Sequence, residues 1–354
     1  MSLDEFEEKH ELLAELTRSR RKYAKQRADL DIARALAKDI GRERDDAVAR
    51  LGIYETAANL EPPKWLTPKK PKKSSATVCA LLSDCHWDEI VKNTEVPTNA
   101  YNREIAEMRL KRFCNKVISL AYEQTAGVTV DGLVLMLGGD MVSGSLHDSA
   151  QHNETPYGPV TCAHWATRLA AAIEQLSEAF PKVHVVNVVG NHGRLTIKPR
   201  TNGRARDSWD WLLVHSANKQ LEHLKNVAWQ IPETHDAMVR IHNTRFLLTH
   251  GDTVSGGGGI GGIWPPIKRM QARLMVNQPH DILVMGHWHQ LVQAGSGQSG
   301  LIVNGSLKGF DSYARISGFS SEPAQQAWWL VTPEHGVTMQ APIFVADPKA
   351  EGWG

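Results

Sequence analysis

The sequence predicts an α/β fold, a buried sheet alternating with helices, with a long helix ahead of it. Three observations carry this. Apolar runs of strand length recur from residue 77 onward, with helical patterns between the first of them, near 100–124, 160–179 and 206–222. Polar residues able to bind metal follow almost every apolar run. Residues 4 to about 50 are rich in charge, Ala and Leu, contain no Pro, and reach their first glycine only at Gly41.

The N-terminal stretch shows apolar residues at heptad spacing. One series is Leu16, Tyr23, Leu30, Ala37 and later Leu51; its partner is Leu12, Ala33, Ile40, Ala47 and Tyr54. Ser19, Gln26 and Arg44 interrupt the seam. A helix of this length cannot bury such a stripe on itself, so residues 1–55 are expected to form a coiled coil or helical hairpin that makes a homo-oligomer. A solvated helix lying on the main domain is the alternative. Residues 18–27, RSRRKYAKQR, carry six basic groups and no acid. They suit either a nucleic-acid contact or a solvated face. Residues 56–76 hold four prolines and five lysines and read as a partly extended linker. The remainder, 77–354, is the α/β domain.

Bulk properties exclude some classes. The chain has 354 residues and a formal net charge of +1, so no global field selects a polyanion, and attraction to nucleic acid must come from local patches. No apolar run reaches the roughly 18 residues of a membrane span, so no membrane association is expected. The start, MSLDEFEEKH, has no apolar core of a secretory signal. Cys79, Cys85, Cys114 and Cys162 form no CxxC pair, and a reduced, cytoplasmic protein is expected.

The informative feature is what ends each apolar run. TVCALLSD leads into Asp84-Cys85-His86, and DGLVLMLGGD ends on Gly139-Asp140. VHVVNVV leads into Gly190-Asn191-His192, FLLT into His250-Gly251-Asp252, and DILVM into Gly286-His287-Trp288-His289. Singly each is a common turn. Together, in order and all at strand ends, they point to one ligand site outside the carboxyl ends of the strands.

Two divalent ions a few ångströms apart need a bridging oxygen ligand, and a carboxylate serves. Imidazole, carboxylate and amide together suit Mn, Fe or Zn better than Mg or Ca. The spacing i, i+2 in DxH and HxH places both side chains on one side of an extended segment. Cys85, between two such residues, is expected to face away and be buried.

The ordered set D-x-H, GD, GNH, H and GHxH resembles the calcineurin-like metallophosphoesterase superfamily over about residues 77–310. The resemblance implies a four-layer α/β/β/α sandwich with the site at one sheet edge, and two divalent ions, Mn first with Fe or Zn as alternatives. It implies a first ion on Asp84, His86, Asp140 and His289. The second would lie on Asp140 as bridge, Asn191, His250 and His287. His192 is then no ligand but a group that stabilises the phosphoryl oxygens or protonates the leaving group. NGSLKGFDSYAR (304–315) is similar to the tail of virus-encoded and bacterial members, which extends the expectation to a virus-encoded protein acting in a host cytoplasm and names Lys308 and Arg315 as phosphate contacts.

Departures from the family patterns narrow the type. GDMVSGSLHD lacks the Asp-Arg pair of GDxxDRG, which lowers a protein-phosphatase reading. Mre11/SbcD-like nucleases carry GNHD, and here Gly193 stands in place of that acid. Asp148 or Asp88 is expected to substitute. Arg194, Lys198, Arg200, Arg204 and Arg206 follow the turn and either bind phosphates or form a solvated, ion-paired loop. Arg194, nearest the site, is expected to share charge stabilisation with His192. Trp87 and Trp288 adjoin ligands and would stack a base, or else wall the site or pack in the core. His147 and His152 would line the cleft. The run SGGGGIGGI (255–263) is not a dinucleotide fingerprint and reads as a loop near the cleft or a connector.

The function expected is a two-metal phosphodiesterase, a DNA nuclease similar to the Mre11/SbcD type. A nucleotide or cyclic-nucleotide phosphoesterase is the alternative, and an assembly protein working through its coiled coil is the alternative of another class.

Overall fold

The computed structural model describes residues 75–354, apart from 126, 147–152, 156–157, 255–261 and 296–298, together with scattered residues between 20 and 39. The latter are helical and exposed, Tyr23 and Leu30 included. The rest of 1–55, on which the coiled-coil and oligomer expectations rest, and residues 56–74 lie outside the described residues.

The first strand, β1 (Ser75–Leu82), is buried along its whole length. It runs parallel to β2 (Thr129–Leu137), which is followed in the sheet by β3 (Val183–Asn187) and β4 (Val227–Gln230), all parallel. On the other side of β1 lie antiparallel β10 (Gln325–Thr332) and β11 (Gly336–Phe344). The crossovers are helices α1 (Arg103–Tyr122), α2 (Gly158–Ala179) and α3 (Trp209–Gln220). Parallel neighbours need such crossovers. Asn102 caps α1 by accepting from Ile105 N, and Ser208 caps α3 by accepting from Asp210 N, which satisfies orphan N–H groups at both starts.

A second sheet has the order β5 (Asp236–Ile241), β6 (Thr244–Thr249), β7 (Ile282–Met285), β9 (Gly300–Val303), β8 (Val292–Ala294). Helix α4 (Trp264–Asn277) joins β6 to β7, and a short α5 (Ser312–Ile316) precedes β10.

Side-chain alternation builds the layers. On β1, Val78, Ala80 and Leu82 pack toward the helices with Phe113 and Trp165, while Cys79 and Leu81 pack toward the second sheet with Phe246 and Val284. On β6, Phe246 and Leu248 face the first sheet, and Leu247 joins Ile267 of α4 on the outer side. The result is helices, sheet, sheet, helix: the four-layer α/β/β/α sandwich expected. The cysteines are all free and buried, and Cys85 sits in the helix-side core as anticipated. Among the described residues no helix is long and apolar enough to cross a membrane.

The carboxyl ends of parallel β1, β2 and β3 lie on one edge, and those of parallel β6 and β7 carry the remaining motifs. Backbone bonds tie the ends together. Asp84 N donates to Gly139 O (3.1 Å), His86 N to Asp140 O (3.0 Å) and Gly286 N to His250 O (3.0 Å).

Candidate metal centre

The five strand ends converge. Asp84, His86 and His289 form one group whose ligand atoms all lie within 4.8 Å of one another; Asp140, His250 and His287 form a second, and His86, Asp140 and His192 a third between them. His289 Nε2 stands 3.3 Å from Asp84 Oδ1 and 3.1 Å from His86 Nε2. His250 Nε2 stands 3.0 Å from Asp140 Oδ2 and 3.1 Å from Asn191 Oδ1. Asp140 therefore belongs to two of the groups. The seven residues expected as ligands meet at this edge, and His192 lies beside them with its ring 4.4 Å from that of His86.

The backbone that achieves this is not extended. Asp84 (φ 52°), His86 (φ 45°), Asp140 (φ 49°), His287 (φ 69°) and His289 (φ 54°) are all left-handed. The expected i, i+2 alternation on an extended segment is thus corrected: the chain turns at each ligand. A left-handed residue costs energy unless its surroundings over-determine it, and such residues cluster at functional sites. Here the carboxylates supply part of the compensation. Asp84 Oδ1 accepts from His287 N (2.8 Å), and Asp140 Oδ1 accepts from His192 N (2.7 Å). Gly190 is needed for space, since a Cβ there would collide with Asp140 Oδ1 and Asp140 N.

Two of the imidazoles are held from behind by backbone carbonyls. His250 Nδ1 meets Gly138 O at 2.8 Å, which turns Nε2 toward Asp140. His192 Nδ1 meets Ser143 O at 3.3 Å. His86 Nδ1 is buried and faces Glu89 Oε2 at 3.6 Å. Glu89 in turn accepts from Lys308 Nζ (2.8 Å) and Ser143 Oγ (3.2 Å), and Lys308 also donates to Asp311 Oδ2 (2.5 Å).

Burial and mutual charge set the protonation. Burial opposes the charged form of Asp140, but His250, His192 and His86 hold its carboxyl well below the usual range. Burial would lower His250, yet Asp140 raises it to about 10. Burial and Lys308 push His86 well down, and burial and His250 bring His287 to about 4. His86 and His287, held neutral, suit metal ligation, whereas His250 would have to release its proton to bind an ion. Two buried carboxylates among imidazole nitrogens and an amide oxygen fit divalent transition ions. Asp84, His86 and His289 would hold one ion and Asn191, His250 and His287 the other, with Asp140 between.

Other expectations are redistributed. The Arg194 side chain donates to Thr196 O (3.0 Å), Asn191 O (2.5 Å) and Ile197 O (3.3 Å), so it closes its own loop in place of the charge-stabilising role expected for it. Arg200 pairs with Asp207, Arg204 with Asp252 and Arg206 with Glu233. Lys308 is buried between Glu89 and Asp311, so it is not the phosphate contact expected, whereas Arg315 is exposed and donates to Glu95 O. Trp87 is fully buried and stacks on Trp165 at 4.5 Å and 4°, so it is a core residue, whereas Trp288 is partly buried, packs against the α4-side core and meets the His287 ring edge-on at 5.8 Å. His147, His152 and Asp148 lie outside the described residues, as does most of the glycine run.

Asp88 does not replace the acid absent at Gly193. Its carboxylate accepts from Arg103, Thr161 and Trp165. The group beside Gly193 is Asp210, in the first turn of α3, which sequence reasoning missed. It is fully buried, and burial and then Asp140 push its carboxyl up to about 6. Glu89 and the buried position of Lys308 were missed as well. Glu89 lies three residues after His86, a spacing that would have been the one available signal.

No protein-family model matches the chain, and no curated protein does. Solved structures do resemble it. An archaeal phosphodiesterase is 11% identical, with 75% of this chain and 99% of that chain covered and a TM-score of 0.34. The phosphoesterase Yfce from E. coli is 16% identical (75% and 99% covered, TM-score 0.30), and Vacuolar Protein Sorting 29 from Cryptosporidium parvum is 13% identical (75% and 97% covered, TM-score 0.33). Likenesses this distant decide neither fold nor function, which rest on the sheets and side chains above.

Proposed function

We propose that this chain is a two-metal phosphodiesterase with DNA as its substrate. The observation that carries the reading is the sharing of Asp140 between neighbouring ligand groups, with His86 and His192 on one side and His250 and His287 on the other. Two divalent ions bound there would supply Lewis acidity toward phosphoryl oxygens and lower the pKa of water to near neutrality. The protein's part is orientation. Asp84 and Asp140 are fixed by backbone N–H groups, and His250 and His192 by carbonyls, while Glu89 faces the buried Nδ1 of His86 at 3.6 Å. His192, whose Nδ1 lies 3.3 Å from Ser143 O, would meet a phosphoryl or leaving-group oxygen with its other ring nitrogen.

Charge favours a diester over a monoester. A monoester dianion calls for additional cations close to the metals, and those nearby are committed: Arg194 to carbonyls, Arg204 to Asp252, Lys308 to two carboxylates. A diester, with one charge, needs less. The loop after His192 supports a polyanionic substrate in a different way. Lys198 is exposed, and Arg200 and Arg206 are held only in exposed pairs, which contribute about 0–1 kcal/mol and exchange a carboxylate for a phosphate at little cost.

The test is hydrolysis by Mn-loaded protein of bis-p-nitrophenyl phosphate, p-nitrophenyl phosphate and labelled DNA. Cleavage of the diester and of DNA, abolished by Asp140→Asn, is expected. Turnover of the monoester alone would overturn the reading.

A further inference from the structure

Gly193 raises a question that its backbone does not answer. It is not among the glycines with left-handed φ, so an ordinary residue could adopt its conformation. What limits a side chain there is space. A Cβ on Gly193 would stand 3.0 Å from Asp210 Oδ1, 3.1 Å from Asp210 Cγ and 3.1 Å from Ser208 Oγ. The volume into which a side chain at 193 would grow is already filled by a carboxylate from α3.

That carboxylate is fully engaged with the two central turns of the site. Asp210 Oδ1 accepts from Met141 N (3.1 Å) and Val142 N (3.2 Å), the two residues after Asp140. Asp210 Oδ2 accepts from Gly190 N (2.9 Å), the residue before Asn191. One buried side chain thus spans the segment that presents Asp140 and the segment that presents Asn191. The chain is built to deliver it: Leu195 N donates to Asp207 O (2.9 Å), Trp209 N to Gly193 O (2.7 Å), and Arg194 bridges Ser208. These bonds press the start of α3 against the turn.

We propose that Asp210 is a positioning residue for the metal centre, holding the Asp140 and Asn191 turns in register, and that Gly193 exists to admit it: a carboxylate delivered from α3 does what one on residue 193 would otherwise do. The role toward metal rests on the function proposed above; the bond pattern does not. Asp210 belongs to none of the metal-capable groups found among the described residues.

The reciprocal exchange tests this. Hydrogen exchange of the Met141, Val142 and Gly190 amides is followed by NMR in the wild type, Asp210→Asn, Asp210→Ala, Gly193→Asp and the double variant Asp210→Ala/Gly193→Asp, together with Mn affinity by titration. Asp210→Asn has one acceptor oxygen and so loses protection at Gly190 or at the Met141–Val142 pair, but not at both. Asp210→Ala loses protection at all three amides, by about tenfold or more for opened buried bonds, and weakens Mn binding about 10–100-fold. Gly193→Asp alone, with the two side chains competing for one volume, is destabilised. The double variant recovers amide protection and Mn affinity. Failure of the double variant to recover the amides, or equal protection in Asp210→Ala and wild type, would overturn the proposal. A wild type that binds no Mn would instead remove the metal reading, and the amide pattern would still decide the role of Asp210 in the two turns.

Discussion

Lys308 Nζ donates to Glu89 Oε1 across 2.8 Å, and the other oxygen of that carboxylate lies 3.6 Å from His86 Nδ1. All three side chains are buried. A buried cation beside two carboxylates is costly to leave half-made, because removing one partner strands charge in a low dielectric. Lys308→Met strands both Glu89 and Asp311 and is expected to destabilise the fold by about 3–5 kcal/mol. Glu89→Gln leaves Lys308 with Asp311 and is expected to be milder in urea denaturation. It should instead lower metal affinity at the His86 side by about 10–100-fold, since a ligand imidazole depends on the group that orients its far nitrogen. Equal loss of stability in the two variants would contradict this division.

Asp311 gives the same cluster a pH signature. Burial raises its carboxyl, but Lys308 outweighs that and brings it to about 2. The unfolded value is about 3.9, so the folded pKa is depressed. Its contribution is therefore fully present above about pH 4 and is lost as pH falls toward 2, a term of order 2–3 kcal/mol. Asp311→Asn should be less stable than wild type at pH 7, and the gap in urea midpoint should narrow between pH 4 and pH 3. A gap that stays constant over that range would show that the ion pair is not its source.

The two residues expected to act on the phosphoryl group should separate by kinetics. His192→Ala is expected to lower kcat by about 10²–10⁴-fold, as loss of a positioned acid does, with metal affinity little changed. Arg194→Ala should do the reverse. Its guanidinium grips Asn191 O, so its loss loosens the loop that carries a ligand and weakens metal binding more than turnover at saturating Mn. A large fall in kcat at saturating metal for Arg194→Ala would restore it to charge stabilisation.

The pattern of success in the sequence has a physical basis. Asp84, His86, Asp140, Asn191, His250, His287 and His289 were legible because each directly follows an apolar run, and strand ends in an open α/β sheet face one edge. The left-handed turns at Asp84 and His287 were not, since non-glycine residues there owe their conformation to tertiary hydrogen bonds. Strands β10 and β11 were passed over, although QQAWWLVT is apolar, because they lie beyond the motifs that carried the reading and pair antiparallel at the far side of β1. Helix α4 was hidden behind a glycine run and opens on Pro265 and Pro266, which read as breakers but are tolerated in a first turn. Asp210 was illegible for a different reason. It is 17 positions from Gly193, and only the bonds that fold Arg194 to Asp207 back on themselves bring the two together.

The stacked pair Trp87 and Trp165 allows a last discrimination, between packing and substrate contact. The rings are parallel and 4.5 Å apart, and both are fully buried. Their nitrogens differ. Trp165 Nε1 donates to Asp88 Oδ1 at 2.8 Å, whereas Trp87 Nε1 has no hydrogen-bond partner among the described residues. Phenylalanine at 87 leaves a cavity but also removes an unpaired buried donor, and the two effects offset. Phenylalanine at 165 leaves a similar cavity and breaks a bond to a carboxylate, worth about 1.5–3 kcal/mol. Trp165→Phe should therefore be the less stable variant by roughly that amount in urea denaturation. Because Trp87 presents no surface, Trp87→Phe should bind single-stranded DNA as wild type does, whereas loss of a stacking platform costs about 1–3 kcal/mol per base. A drop in DNA affinity of that size for Trp87→Phe, in folded protein, would mean that the ring leaves the core to meet a base.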